Sequence, residues 1–297
     1  MPRPITVAVA GATGKQGGAL VHWLLHRGHV VRALTRKPES RAALELRALG
    51  ADIYEADLDD SGAVHQAIEG ADAFFLVTTP FEAGVEAEVR QGRAAAKAAG
   101  AARVKHLVYS SVASADQHTG VPHVESKQEI ETYIRKLGIP STTIAPVFFM
   151  ENLLGPGFVE GLRAGTLSMP LRPTRRLQMV AVQDIAGFAG IVLERPTEFR
   201  GKRIDIASDS LTGPEIAAVM ARAGRPVTYV EAPLEPLRAR NPDFARMWEW
   251  FGEGGPDVDV RALVSSYPEV GWHDLSHWVR EQDWSVLDVA GPEQPTA

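Results

Sequence analysis

The chain contains no cysteine among its 297 residues. Composition alone therefore excludes disulfides, thiolate nucleophiles and cysteine-bound zinc. Basic charge is not in excess either. Lys and Arg number 31 against 37 Asp and Glu, a formal net charge of −6, so the electrostatic footprint of a general nucleic-acid binder is missing. No apolar run approaches the roughly 18 residues of a membrane span. The opening MPRPITVAVAGATG passes straight into a strand and a glycine turn without a leader pattern. The expectation is a cytoplasmic protein with no membrane or direct nucleic-acid partner. Several motifs are absent as well. There is no Gly-x-Ser-x-Gly elbow of a hydrolase and no helix-turn-helix pattern with a basic recognition helix. Lys15 fits neither the spacing nor the Lys-Ser/Thr ending of a triphosphate loop.

What is present is an alternation. Residues 5–10 (ITVAVA) form a short, β-branched apolar run stopped by glycine, the pattern of a buried strand. Residues 16–27 then carry apolar side chains at helical spacing up to Gly28. Further strands are expected at 30–36, 53–56, 73–78, 104–111 and 141–146, with helices at 40–49, 63–68, 85–99 and 124–137. Strands alternating with helices in this way predict an α/β fold, a doubly wound parallel sheet of the Rossmann type. After Pro146 prolines become frequent and the pattern loosens. A helix at 183–194, a strand at 202–207, a helix capped by Thr212 and a strand at 226–233 precede a mostly helical remainder. That remainder holds Trp248, Trp250, Trp272, Trp278 and Trp284, five of the six tryptophans. The expected organisation is a dinucleotide-binding domain over 1–152 and a smaller mixed α/β lid domain over 153–297. Parts of 180–207 are expected to return to the first domain, and 288–297 to form a disordered tail.

The glycine turn Gly11-Ala12-Thr13-Gly14-Lys15-Gln16-Gly17 lies between the first strand and the first helix. In that context glycines permit the tight turn and close approach of backbone to a pyrophosphate, while the helix start supplies N–H donors and positive potential. The end of the second strand bears on the choice of cofactor. Binders of the unphosphorylated dinucleotide place Asp or Glu about 20 residues beyond the glycines. Here LTRKPES puts Arg36 and Lys37 at that place. A guanidinium suits a 2′-phosphate, which an acid would repel; both bases could equally be solvated at a strand end. The position favours NADP(H) over NAD(H). Asp57 and Leu58, just after the third strand, either flank the adenine or form a simple turn.

With GATGKQGG, Arg36, YSSVASA, HVESK and PVFFMENL all in order, the chain resembles the NmrA-like family of atypical short-chain dehydrogenase/reductases. The likeness is strong to about Asn152 and diffuse beyond. It implies a Rossmann domain, a small C-terminal domain and a cleft between them. It also implies Gly11, Thr13, Gly14, Gln16 and Gly17 on the phosphates and Arg36 on the 2′-phosphate. Thr78, Thr79 and Pro80 would border the nicotinamide half, Lys127 its ribose, and the segment from Val147 through Phe149 to Asn152 the ring. The family holds both NADP(H)-sensing regulators and reductases.

The segment HVESK, His123 to Lys127, departs from the reductase pattern. Typical members place Tyr and Lys at i and i+4, on one helix face. The lysine lowers the phenol pKa, and the phenol protonates the substrate carbonyl. Here histidine stands in the tyrosine's place. Either His123 is a replacement donor, its pKa depressed by the neighbouring ammonium, or it is a loop histidine at a helix start. Ser111, or its neighbour Ser110, would be the accessory donor. The expected function is a redox-sensing regulator that binds NADP(H) and acts on a protein partner. The alternative is an NADPH-dependent reductase of quinones or other conjugated carbonyls, with a small aromatic substrate near Phe81, Phe148 and Phe149. A metal is not expected: His273 and His277 share a helical face, but HDLSH supplies no third ligand by motif.

Overall fold

The computed structural model describes residues 3–287; the tail at 288–297 lies outside them. Two compact units emerge. The first takes the chain as far as Pro146, then Val182–Ile206 and Glu269–Gly271. The second takes Val147–Ala181, Ala207–Pro268 and the chain from Trp272 onward. The first crossing thus falls six residues short of the boundary expected at 152.

Seven parallel strands build the first unit. They are β1 (Thr6–Val9), β2 (Val30–Thr35), β3 (Asp52–Glu55), β4 (Ala73–Val77), β5 (His106–Ser110), β6 (Ser141–Pro146) and, after an excursion into the second unit, β10 (Arg203–Ile206). The order across the sheet is β10-β6-β5-β4-β1-β2-β3, and every pairing is parallel. Val7, Ala8 and Val9 are completely buried, as a strand covered on both faces requires. The order reverses between β1 and β4, and ligands of such sheets bind at the carboxyl ends beside that reversal. The expected α/β class with a doubly wound parallel sheet is what the chain forms.

The helices of this unit are α1 (Lys15–His26), α2 (Arg41–Ala48), α3 (Ser61–Ile68), α4 (Val85–Ala101), α5 (Pro122–Leu137), α7 (Val182–Glu194) and the short α8 (Pro196–Phe199). Small residues let them approach closely. A Cβ at Gly190 of α7 would sit 2.3 Å from the Trp23 ring of α1, and one at Gly92 of α4 would lie 2.6 Å from Ile130 of α5. Glu194, at the end of α7, accepts hydrogen bonds from Arg27 and lies 3.0 Å from the buried His29 ring. Helix α5 starts two residues earlier than expected, because Pro122 occupies its first position, where the missing N–H costs nothing. His123 therefore lies inside the first turn, not in a preceding loop.

The second unit has a three-stranded sheet of β7 (Phe148–Phe149), β9 (Arg176–Val180) and β11 (Asp209–Thr212). A separate parallel pair joins β8 (Thr166–Met169) to β12 (Thr228–Glu231). The strand expected at 226–233 is thus shorter and stands apart from the main sheet. Its helices are α6 (Val159–Arg163), α9 (Gly213–Arg222), α10 (Glu235–Arg240), α11 (Pro242–Glu253), α12 (Val260–Ser266) and α13 (Leu275–Glu281). Thr212 caps α9 in a reciprocal box with Glu215, which satisfies two helix-end donors at once. Trp248, Trp278 and Trp284 are buried in this unit's own core. Among the described residues, no helix is long and apolar enough to cross a membrane.

Candidate functional site

Backbone proximity dictates the glycine turn after β1. Gly11 has φ +62°, a region that L side chains avoid. A Cβ at Gly17 would lie 2.2 Å from the Gly11 carbonyl oxygen. Gly14 donates to that same oxygen at 2.9 Å and serves as N-cap of α1 without any side-chain cap. The first N–H groups of α1 thus face the carboxyl end of the sheet as anion donors. Thr13 and Lys15 lie exposed within the turn. Gln16 instead reaches sideways, its Oε1 accepting from Ser110 at the end of β5 at 2.7 Å.

Arg36 directly follows β2 and is half exposed; its Nη2 lies 2.6 Å from Glu82 Oε2. Lys37 is exposed beside it. Beyond β3, Asp57 Oδ1 accepts from the Asp59 amide at 3.0 Å and Leu58 packs on the core of the unit. Asp57 thus makes a turn contact after β3, and Leu58 is partly buried beside it.

Thr78, immediately after β4, and the HVESK helix meet in a buried cluster that the sequence analysis did not anticipate. Its centre is Glu88, a completely buried carboxylate one turn into α4. Thr78 Oγ1 donates to Glu88 at 2.9 Å and Ser126 Oγ at 2.5 Å, while Lys127 Nζ lies 2.7 Å from it. Lys127 also donates to the Thr78 carbonyl at 2.6 Å and to its hydroxyl at 3.1 Å. All three ammonium protons thus have acceptors, and the charge is neutralised in place. Tyr109 lies beneath, its ring 5.8 Å from Nζ. Tyr109 is completely buried; burial pushes its phenol well above the usual range, and Glu88 adds to the shift. His123, one turn before Lys127, is buried and rests against the Phe81 ring at 5.8 Å. Thr79 accepts from the Phe81 amide and Pro80 from that of Gly84, shaping the loop between.

Ser111 is committed elsewhere. Its hydroxyl donates to Glu131 of α5 in a short hydrogen bond. Glu131 is also paired with Arg203 of β10 at 3.1 Å, and Arg203 continues to Asp205 and to the Val112 carbonyl. Desolvation raises the Glu131 pKa above the usual carboxylate range, with Arg203 and Ser111 opposing it. The same cause raises Asp205, which also accepts from the Ser114 amide. This network fixes the chain after β5, where Ser114 holds φ +60°. The structure therefore gathers Thr78, Ser126 and Lys127 on Glu88, sets His123 against Phe81, and directs Ser111 into a brace.

Val147, Phe149 and Asn152 belong to the second unit. Phe149 pairs with Val180 through β7, and the Asn152 carbonyl accepts from Gly155. Phe148 meets Phe158 and Trp248 within that unit's core. His273 and His277 do gain a third neighbour: both imidazoles lie against Glu281, at 3.5 and 3.0 Å. The ligand atoms of these three residues lie within 4.8 Å of one another, but His273 precedes α13 and its N-cap Asp274, so the two histidines do not share a helical face as expected. Of the residues missed, Glu88 had a visible signal. It shares an inward stripe of α4 with Gly92, Ala95, Ala96 and Ala99, where a carboxylate is out of place.

The sequence model of the NmrA-like family matches residues 4–278. The chain belongs to that family. It is 37% identical to the NmrA-like family domain-containing oxidoreductase himF of Aspergillus japonicus, but over only 50% of this chain and 48% of that protein. It is 32% identical to the NAD(P)H azoreductase of Xenophilus azovorans, over 77% of this chain and 78% of that one. Among solved structures, NmrA, a negative transcriptional regulator in complex with NADP, superposes with a TM-score of 0.77. That likeness is at 27% identity and covers 94% of this chain and 95% of the other.

Proposed function

We propose that this protein is an NADP(H)-binding, redox-sensing regulator that acts through protein contacts. The observation that carries this reading is the state of Lys127. Its ammonium is a buried brace between Glu88 and Thr78, with a histidine where a reductase would hold a phenol. The binding half of the site is retained. The residues present fit a dinucleotide, since Gly17 lets α1 start against the Gly11 backbone too closely for any Cβ, and the uncapped start of α1 suits a pyrophosphate. Arg36 at the end of β2 favours the phosphorylated form. The likeness to the regulator NmrA, solved with NADP and with NAD, supports a nicotinamide dinucleotide of either form. A sensor needs conformations with unequal affinity for the nucleotide, because equal binding shifts nothing. Hydrogen exchange with and without saturating NADPH tests this. Changed protection at surface segments away from the glycine turn is expected, and indistinguishable exchange there would refute the reading.

A second reading is favoured by the Phe81–His123 contact and by the azoreductase relative. An NADPH-dependent reductase of quinones or other conjugated acceptors needs no placed tyrosine. The acceptor takes a hydride, and water can protonate the delocalised anion that results. Phe81, 65% exposed, would then be the aromatic surface against which such a substrate stacks.

A further inference from the structure

We propose that Arg36 and Glu82 form a clasp that the 2′-phosphate of NADP(H) opens and that NAD(H) leaves closed. The loop carrying Glu82 then reports which dinucleotide is bound. This rests on the dinucleotide-binding reading above and adds to it a residue that determines specificity.

The sheet order supplies the first argument. β1 lies between β4 and β2, and the glycine turn leaves the end of β1. Arg36 follows β2 and Glu82 follows β4, so their 2.6 Å ion pair joins the strand ends on either side of that turn. A dinucleotide laid across the switch point, its pyrophosphate on the first helix, crosses the same line. The clasp and the adenosine phosphate compete for one guanidinium.

The anchoring of the loop supplies the second. Its two ends, Thr78 and Glu88, are hydrogen bonded to each other at 2.9 Å and both held by Lys127. Between them the chain is mostly exposed and turns at Gly84, φ +87°. The anchors leave the loop from Thr79 to Gly84, ahead of α4, as the part that the proposed exchange can shift. Within it Glu82 adjoins Phe81, whose ring lies against His123. Releasing Glu82 from Arg36 therefore acts directly on the residue that covers the HVESK helix.

Charge supplies the third. A phosphate monoester carries about −1.5 to −2 charges near neutral pH and takes an arginine in bidentate fashion, more strongly than a single carboxylate contact. Both clasp partners are half exposed, 53% and 56%, which makes the pair cheap to exchange. A 2′-hydroxyl offers neither the charge nor the fork, and Glu82 stays on Arg36.

The test is titration of NADPH and NADH onto the full chain as wild type, Glu82→Gln and Arg36→Met, with hydrogen exchange read over residues 79–87. Glu82→Gln is expected to tighten NADPH about two- to sixfold, the value of a surface ion pair, and to leave NADH within twofold. In the wild type, exchange in the loop rises with NADPH and not with NADH. Equal effects of Glu82→Gln on both nucleotides, or loop exchange indifferent to NADPH, would overturn the clasp. If Arg36→Met weakens NADPH while Glu82→Gln is silent, the clasp fails and the binding site stands. If no variant, wild type included, binds either nucleotide, the underlying reading fails with it.

Discussion

Two cation–carboxylate pairs flank the same loop, and they share almost nothing but their chemistry. Lys127–Glu88 is sealed, with side chains 10% and 0% exposed, and is satisfied by two hydroxyls and a carbonyl. Arg36–Glu82 lies at the surface, more than half exposed on each side. Burial turns the first into a structural brace, since separating it would strand a charge in a poorly solvated place. Exposure leaves the second worth little to the fold and open to exchange with a competing anion. One pair fixes the ends of the loop and the other decides where its middle rests.

Breaking the sealed pair should have the largest effect. Glu88→Gln leaves the ammonium without its counter-charge and is expected to cost about 3–5 kcal/mol of stability, read from the denaturant midpoint. The double change Lys127→Met with Glu88→Leu should recover most of that. A single-variant cost below about 1 kcal/mol would move the pair into the surface class.

His106, another buried group of the first unit, sharpens the contrast through pH. Its Nε2 lies 2.8 Å from Thr142, whose hydroxyl donates to the Phe199 carbonyl. The ring is therefore the hydrogen donor to Thr142, and burial, with the Arg200 charge, lowers its pKa to about 4. Unfolded, it takes a proton near 6.5. Between those values the unfolded chain binds more protons, so this contribution is complete above about pH 6.5 and is lost as pH falls towards 4. The full difference is about 3 kcal/mol. Comparing wild type with His106→Gln across that window should show the wild type carrying an added slope over the titrations the two share. Parallel pH curves would remove His106 from the explanation.

The exposed pair should matter least to stability and most to ligand choice. Arg36→Met is expected to change unfolding free energy by less than about 1 kcal/mol. It should weaken NADPH about ten- to a hundredfold through loss of a charge-assisted contact. An equal loss for NADH would place Arg36 outside the 2′-phosphate site.

Local pattern made the first unit legible. Strands β2, β3, β4 and β6 each follow a helix stopped by a glycine, at Gly28, Gly50, Gly70 and Gly138, and the turn from Gly11 to Gly17 has a spacing that close backbone approach explains. The second unit was harder to read because β7 is only Phe148–Phe149 and the partners of β7 and β8, which are β9 and β12, lie far along the chain. At the site, a motif can show Lys127 but not what neutralises it. Glu88 and Glu82 reach their cations only after α4 and its preceding loop are placed against α5 and β2. Ser111 looked available until Glu131 and Arg203, distant in sequence, came behind it.

The most direct measurement is NADPH oxidation by the wild-type chain against a panel of quinones and conjugated carbonyls, with bound nucleotide confirmed by fluorescence in the same cuvette. A nucleotide site whose lysine serves as a brace should bind NADPH and leave it unoxidised at every acceptor. Sustained turnover well above the protein-free rate would contradict the sensor reading and make the HVESK helix part of a working reductase.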